Sequence, residues 1–193
     1  MRNGKAKGDD YENHVCRIMS VWIVPGNWSK APVWKLPFRR RFTDTTPLDG
    51  HWEGQGDLLH APRLAFPFCV ECKKIEGWEI DGALANAKWP IWSWWEQAKK
   101  QARKTWKTNG LYPLLVFSRN RKPDYVLLEE EVAQCLRLRP KSGPVLAVAR
   151  PNGERLVLAL LSDLTTVPKG TVTALARRRT MLGSKRRSSA AAR

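Results

Sequence analysis

Acidic residues are scarce in this chain, and long apolar runs are missing altogether. Its 193 residues hold 34 lysines and arginines against 18 aspartates and glutamates, a formal net charge of +16. That imbalance disfavours acidic partners and points to a polyanion. The longest strongly apolar stretch, Leu156 to Leu161, falls far short of the ~20 residues a membrane span needs and suits a buried strand. The N-terminus is basic but lacks the apolar segment of a secretion signal. A soluble, cytoplasmic protein without membrane contact is therefore expected. Histidine is sparse too, and His14, His51 and His60 suggest neither a triad nor a zinc site. Cys69 and Cys72 lie three apart in a strand-like run, so their side chains should point to opposite faces. That spoils them as a chelating pair, and all four cysteines are read as reduced.

What is present suffices for a core. Hydrophobic residues make up 42% of the chain, which excludes a disordered polycation. The length suits a single domain. Nor is the charge confined to one end. Residues 171–193 carry seven basic residues and no acids, yet the rest of the chain keeps an excess of nine positive charges. The expected division is a domain over 1–170 and a basic, partly disordered tail over 171–193.

Tyr11, Val15, Ile18, Met19 and Trp22 recur at helical spacing, with Asp9 or Asp10 as the cap and Pro25-Gly26 as the stop. Residues 27–55, with prolines, glycines and the run Arg39-Arg40-Arg41, predict a short strand in a long loop. Asp57–His60 and Phe66–Lys74 read as strands joined by a turn at Ala61-Pro62-Arg63. A second helix is predicted from Pro90 to about Thr108, stopped by Asn109-Gly110. Strands follow at Leu114–Ser118 and Tyr125–Leu128, then a short helix over Glu129–Leu138. Val145–Ala149 and Leu156–Leu161 form a hairpin about Pro151-Asn152-Gly153. A frayed basic helix follows Lys169. The order predicts an α/β fold with one mixed central β-sheet flanked by helices.

The chemistry concentrates in Gly56-Asp57 and, fourteen positions after Asp57, Glu71-Cys72-Lys73. Phe68, Val70 and Cys72 make one face of their strand, so Glu71 and Lys73 share the other. A neighbouring segment carrying Asp57 could bring a second carboxylate beside Glu71. Two such carboxylates are stable as anions with a cation between them, and oxygen ligands suit Mg²⁺. Lys73 could then orient and deprotonate the attacking water, or stabilise charge developing on a phosphate. The plainer alternative is an exposed cross-strand Glu–Lys pair. Glu12 sits at the margin of the first helix's buried face, as a further acid or as part of a capping box with Asp9. On the second helix, Ile91, Trp94, Trp95, Ala98 and Ala102 form the apolar stripe, and Gln97, Lys100, Gln101 and Lys104 a polar, basic one. The polar stripe is either solvated or laid along a phosphate backbone. Four of the ten tryptophans fall within residues 89–95. Trp89 and Trp92 lie off the stripe and are expected to be exposed, for packing or a dimer contact rather than base stacking.

Taken in order, Lys7-Gly8, Glu12, Gly56-Asp57, Glu71-Cys72-Lys73 and Gln97 resemble the PD-(D/E)XK nuclease superfamily. Within it the likeness is to archaeal-type Holliday junction resolvases and their phage relatives, and it covers roughly residues 5–128. The hairpin and basic tail lie beyond that reach. The resemblance implies a restriction-endonuclease-like domain. It implies Mg²⁺, with Mn²⁺ able to substitute, held by Asp57, Glu71 and the Cys72 carbonyl, with Glu12 completing the acidic cluster. Lys73 would serve the attacking water. Apart from the resemblance, the basic run Arg39, Arg40 and Arg41 and the helix residues Gln97, Lys100 and Lys104 are the expected DNA contacts. A homodimer acting on branched DNA in recombination and repair is implied, in a host-cell cytoplasm if the chain is phage-encoded. The alternatives are another nuclease of the superfamily, restriction-like or a recombination exonuclease, or a non-catalytic DNA-binding protein. Gly56 stands where the superfamily's name pattern has proline, and Trp28 to Gly54 has no counterpart.

Overall fold

Period-two alternation along β3 (Phe68–Lys74) and β4 (Tyr112–Ser118) decides the layering. In the computed structural model, which describes residues 4–41, 56–61, 63–76, 89–104, 111–141, 143, 145–150 and 152–178, both faces of the central sheet are buried. Phe68, Val70, Cys72, Leu114 and Val116 pack on one side with the N-terminal helix α1 (Gly4–Ile23). Leu115, Phe117 and Leu127 pack on the other with α2 (Pro90–Lys104). Burial on both faces is what a parallel pair needs. β3 and β4 are indeed parallel, joined through α2.

The sheet has five strands in the order β3-β4-β5-β7-β6, with β5 at Tyr125–Glu129, β6 at Leu146–Ala149 and β7 at Arg155–Leu160. All pairings except β3–β4 are antiparallel, so the sheet is mixed, as expected. The C-terminal hairpin is β6–β7. It is no appendage, because β7 pairs along β5 in the middle of the sheet. Short helices α3 (Glu130–Leu136) and α4 (Leu161–Leu164) follow β5 and β7. Residues 169–178 are helical (α5). The Trp22 indole donates to the Val167 carbonyl at 2.8 Å, fastening α1 to the segment before α5.

Several expectations need correction. The sheet is not one: β1 (Phe38–Arg40) and β2 (Leu58–His60) form a separate antiparallel pair. It meets the main sheet through a parallel bridge between Gly56 and Val70, so β2 and β3 are not hairpin partners. Neither Asp9 nor Asp10 caps α1, and no capping box joins Asp9 to Glu12. The helix already runs from Gly4, because Lys5, Ala6 and Lys7 are good helix formers that nothing interrupts. Asp9 instead reaches Arg40 at 2.8 Å. Trp89 and Trp92 are buried, edge to face at 5.1 Å, whereas Trp94 is only partly buried. Hairpin residues Val148, Leu156 and Leu158 join that cluster, which widens the covered stripe of α2. All four cysteines are free thiols. The predicted end of α2 at Thr108, the loop over 42–55 and the tail beyond 178 lie outside the described residues.

Candidate active site

β3 is the edge strand on the side facing β2, and the acidic residues gather along that edge. Gly56 bridges Val70 in a left-handed conformation, φ +86°. A Cβ placed there would lie 2.3 Å from the Val70 carbonyl oxygen. Proline, fixed near φ −65°, cannot adopt that turn, which explains the departure from the name pattern. The turn sets Asp57 down beside β3. Its N–H donates to Val70 O at 2.8 Å, and its carboxylate accepts from the Cys72 N–H at 2.7 Å. N–H and C=O of one residue in an extended strand leave on the same edge. The Cys72 carbonyl therefore emerges on Asp57's side, away from β4.

Glu71 faces α2 and is wholly buried. Lys73 Nζ donates to its Oε1 at 2.7 Å, Gln97 Nε2 to the same oxygen at 2.5 Å, and Gln101 Nε2 to its Oε2 at 2.9 Å. A buried carboxylate costs several kcal/mol unless paired and hydrogen-bonded, and here it is both. The polar stripe of α2 thus divides. Gln97 and Gln101 turn in toward Glu71, whereas Lys100 and Lys104 stay exposed. Gln101 is the partner that sequence reasoning missed. Its spacing of four from Gln97 was the signal, since both then share a helix face.

Glu12, half-buried on α1, completes the group. Burial, the charge of Asp57, and those of Asp9 and Glu71 push its carboxyl up to about 7, against the pull of Arg40. Burial acts downward on Lys73, but the hydrogen bond and charge of Glu71, then Asp57, outweigh it, so the ammonium is held above its ordinary value. Burial raises the Cys72 thiol, with Asp57 adding to it.

Glu12, Asp57, Glu71 and Lys73 are thus brought into one electrostatic neighbourhood. Among the described residues, no three His, Cys, Asp or Glu side chains stand ready-made around an ion position. Both Glu71 oxygens and Oδ2 of Asp57 accept from protein donors. The donor chemistry nevertheless fits a hard divalent cation, being carboxylates plus a strand-edge carbonyl. The Glu12 carboxyl is raised first by burial and then by the neighbouring acids, Asp57 foremost, and a cation among them would relieve that second part. Of the basic run, Arg40 is committed to Asp9, and Arg39 and Arg41 are both half-buried.

No curated protein and no solved structure matches the chain at a significant level. A family model described as phage putative PDDEXK endonuclease matches residues 3–172, which takes in α1, the acidic edge, α2 and the hairpin alike. The chain belongs to that family, and PD-(D/E)XK nucleases generally use divalent metals.

Proposed function

We propose that this chain is a Mg²⁺-dependent DNA endonuclease that resolves four-way junctions as a homodimer, by paired hydrolysis of phosphodiester bonds. The observation that carries the catalytic part is the meeting of Glu12, Asp57, Glu71 and Lys73 at one strand edge. Asp57, Glu71 and the Cys72 carbonyl would hold the cation, with Glu12 as a further acid. When bound, the cation supplies Lewis acidity toward the scissile phosphate. Lys73 carries its proton beside Glu71 and would face the attacking water or the charge growing on phosphate. Gln97 and Gln101 fix the Glu71 carboxylate, so that its direction is set before substrate arrives. The junction reading rests on the order of the motifs, and the net charge of +16 supports binding to DNA of any form. Other DNA nucleases of the superfamily share the same hydrolysis.

A cleavage assay with Mg²⁺ on four-way, forked and linear duplex DNA in parallel tests both levels. Asp57→Asn and Glu71→Gln should each abolish cutting and leave DNA binding intact or tighter. Each removes charge that serves the cation, not charge that serves the phosphates. Full cleavage by Glu71→Gln would end the nuclease reading at this site, and equal cutting of all three substrates would end the junction reading alone.

A further inference from the structure

The C-terminal ends of β3 and β4 open onto a cleft of about 460 Å³ that none of the proposed catalytic groups lines. Lys7 of α1, Lys74 at the end of β3, and Arg119, Arg121 and Lys122 of the β4–β5 turn surround it. The ends of parallel strands are where α/β sheets bind ligands. Here the wall chemistry is cationic. The two carboxylates that also line the cleft are already engaged. Asp124 accepts from His14 at 3.0 Å, and Asp10 has contacts of its own. Among the described residues, Lys7, Lys74, Arg121 and Lys122 enter no ion pair, and Lys74 lies over the Tyr11 ring at 5.2 Å.

The cleft is built rather than incidental. The Asn120 N–H donates to Glu76 Oε1 at 2.9 Å, pinning the β4–β5 turn to the exit of β3. Lys122 N–H closes the turn on Arg119 O at 3.2 Å, with Arg121 at φ +61° between them. These bonds fix the turn that carries Arg119, Arg121 and Lys122, which line the cleft with Lys7 and Lys74 beside Tyr11, Ser118 and Asp124. Two of the lining residues adjoin site residues in the chain, Tyr11 beside Glu12 and Lys74 beside Lys73.

We infer that this cleft is a second phosphate-binding site, which grips the DNA backbone next to the phosphate being cut. It rests on the nuclease reading for the identity of the polyanion, DNA. Its ligand is the phosphodiester group alone, so it positions the strand without reading sequence. A strand seated there runs from the turn cations past Lys74 toward the edge that carries Asp57 and Glu71.

The test compares the full chain with the triple variant Lys7→Ala/Arg121→Ala/Lys122→Ala. Its charge-matched control is Arg139→Ala/Lys141→Ala/Lys169→Ala, at exposed positions away from the cleft. Binding of a labelled linear duplex is followed by fluorescence anisotropy across a salt series without divalent metal, so no cutting intervenes. Circular dichroism confirms that each variant folds. Each lost phosphate contact lowers the slope of log affinity against log salt by about 0.9. The cleft variant should lose about 2 to 3 units of slope and bind about tenfold weaker or worse, with the control close to wild type. Equal losses in both variants would show diffuse charge and overturn the site, as would wild-type binding by the cleft variant. Because binding is read apart from cutting, these outcomes do not depend on whether Glu71→Gln stops cleavage.

Discussion

Gly56 shows how far one residue without a side chain can govern a site. Its φ of +86° costs an L-residue about 1–2 kcal/mol. The Val70 carbonyl stands where a Cβ would go, and that backbone oxygen belongs to the strand that carries Glu71. Gly56→Ala should therefore destabilise the protein by at least ~2 kcal/mol in urea denaturation. It should also move Asp57 off the Cys72 N–H, so that cleavage falls further than the fraction folded. Unchanged stability would mean that the turn relaxes freely and that Asp57 is not held by it. The pairing of Glu71 with Lys73 was legible from alternation alone, since both lie on one face of a seven-residue strand. The raised Glu12 carboxyl was not, because it depends on burial in the fold and then on charges from three other segments. The same holds for Asp9, whose partner Arg40 lies on another element and so leaves no local spacing to read.

At the level of elements, α2 is held from its far side by the hairpin. Glu154 accepts from the Trp95 indole at 3.0 Å, from Lys99 at 3.0 Å and from Arg150 at 2.6 Å. Arg150 also pairs with Glu96 and lies over the Trp92 ring at 5.2 Å. Burial works upward on the Glu154 carboxyl, but these donors outweigh it and hold it below the ordinary value of 4.5. A carboxyl depressed in the folded state stabilises the fold above its unfolded pKa. That contribution disappears as pH falls through the folded value. Wild-type stability should thus drop as pH falls below about 4.5, and Glu154→Gln should flatten the drop while costing ~1–2 kcal/mol at neutral pH. Denaturant midpoints at several pH values measure both, and parallel pH profiles would exclude Glu154 as the source. This bracing also explains the misplaced tryptophans. Viewed alone, α2 has an apolar stripe too narrow for Trp92, and only the hairpin, more than fifty residues later, supplies the second wall. Helix, strands and hairpin were each legible from local periodicity. The β1–β2 pair was not, because its strands are separated by a stretch without a periodic pattern.

For the whole molecule, charge and symmetry decide what the proposed resolvase must do. A chain of +16 binds any DNA through counterion release, and that alone gives no selectivity for branches. Selectivity has to come from geometry, with two sites held at the separation and orientation of opposed strands in a junction. Each chain offers one acidic edge, so paired cuts require two copies about a two-fold axis that matches that of the DNA. The protein should then bind four-way junctions of unrelated sequence far more tightly than linear duplex at equal, moderate salt. On a cruciform plasmid, the wild type should linearise within one binding event. A mixed dimer with one Glu71→Gln chain retains a single working edge, so it should nick the plasmid and stop. Linearisation by the mixed dimer would mean that one site cuts both strands in turn, which removes the need for symmetry. A protein that stays monomeric on DNA and shows no preference for branches would leave a nuclease whose cationic surface holds duplex alone.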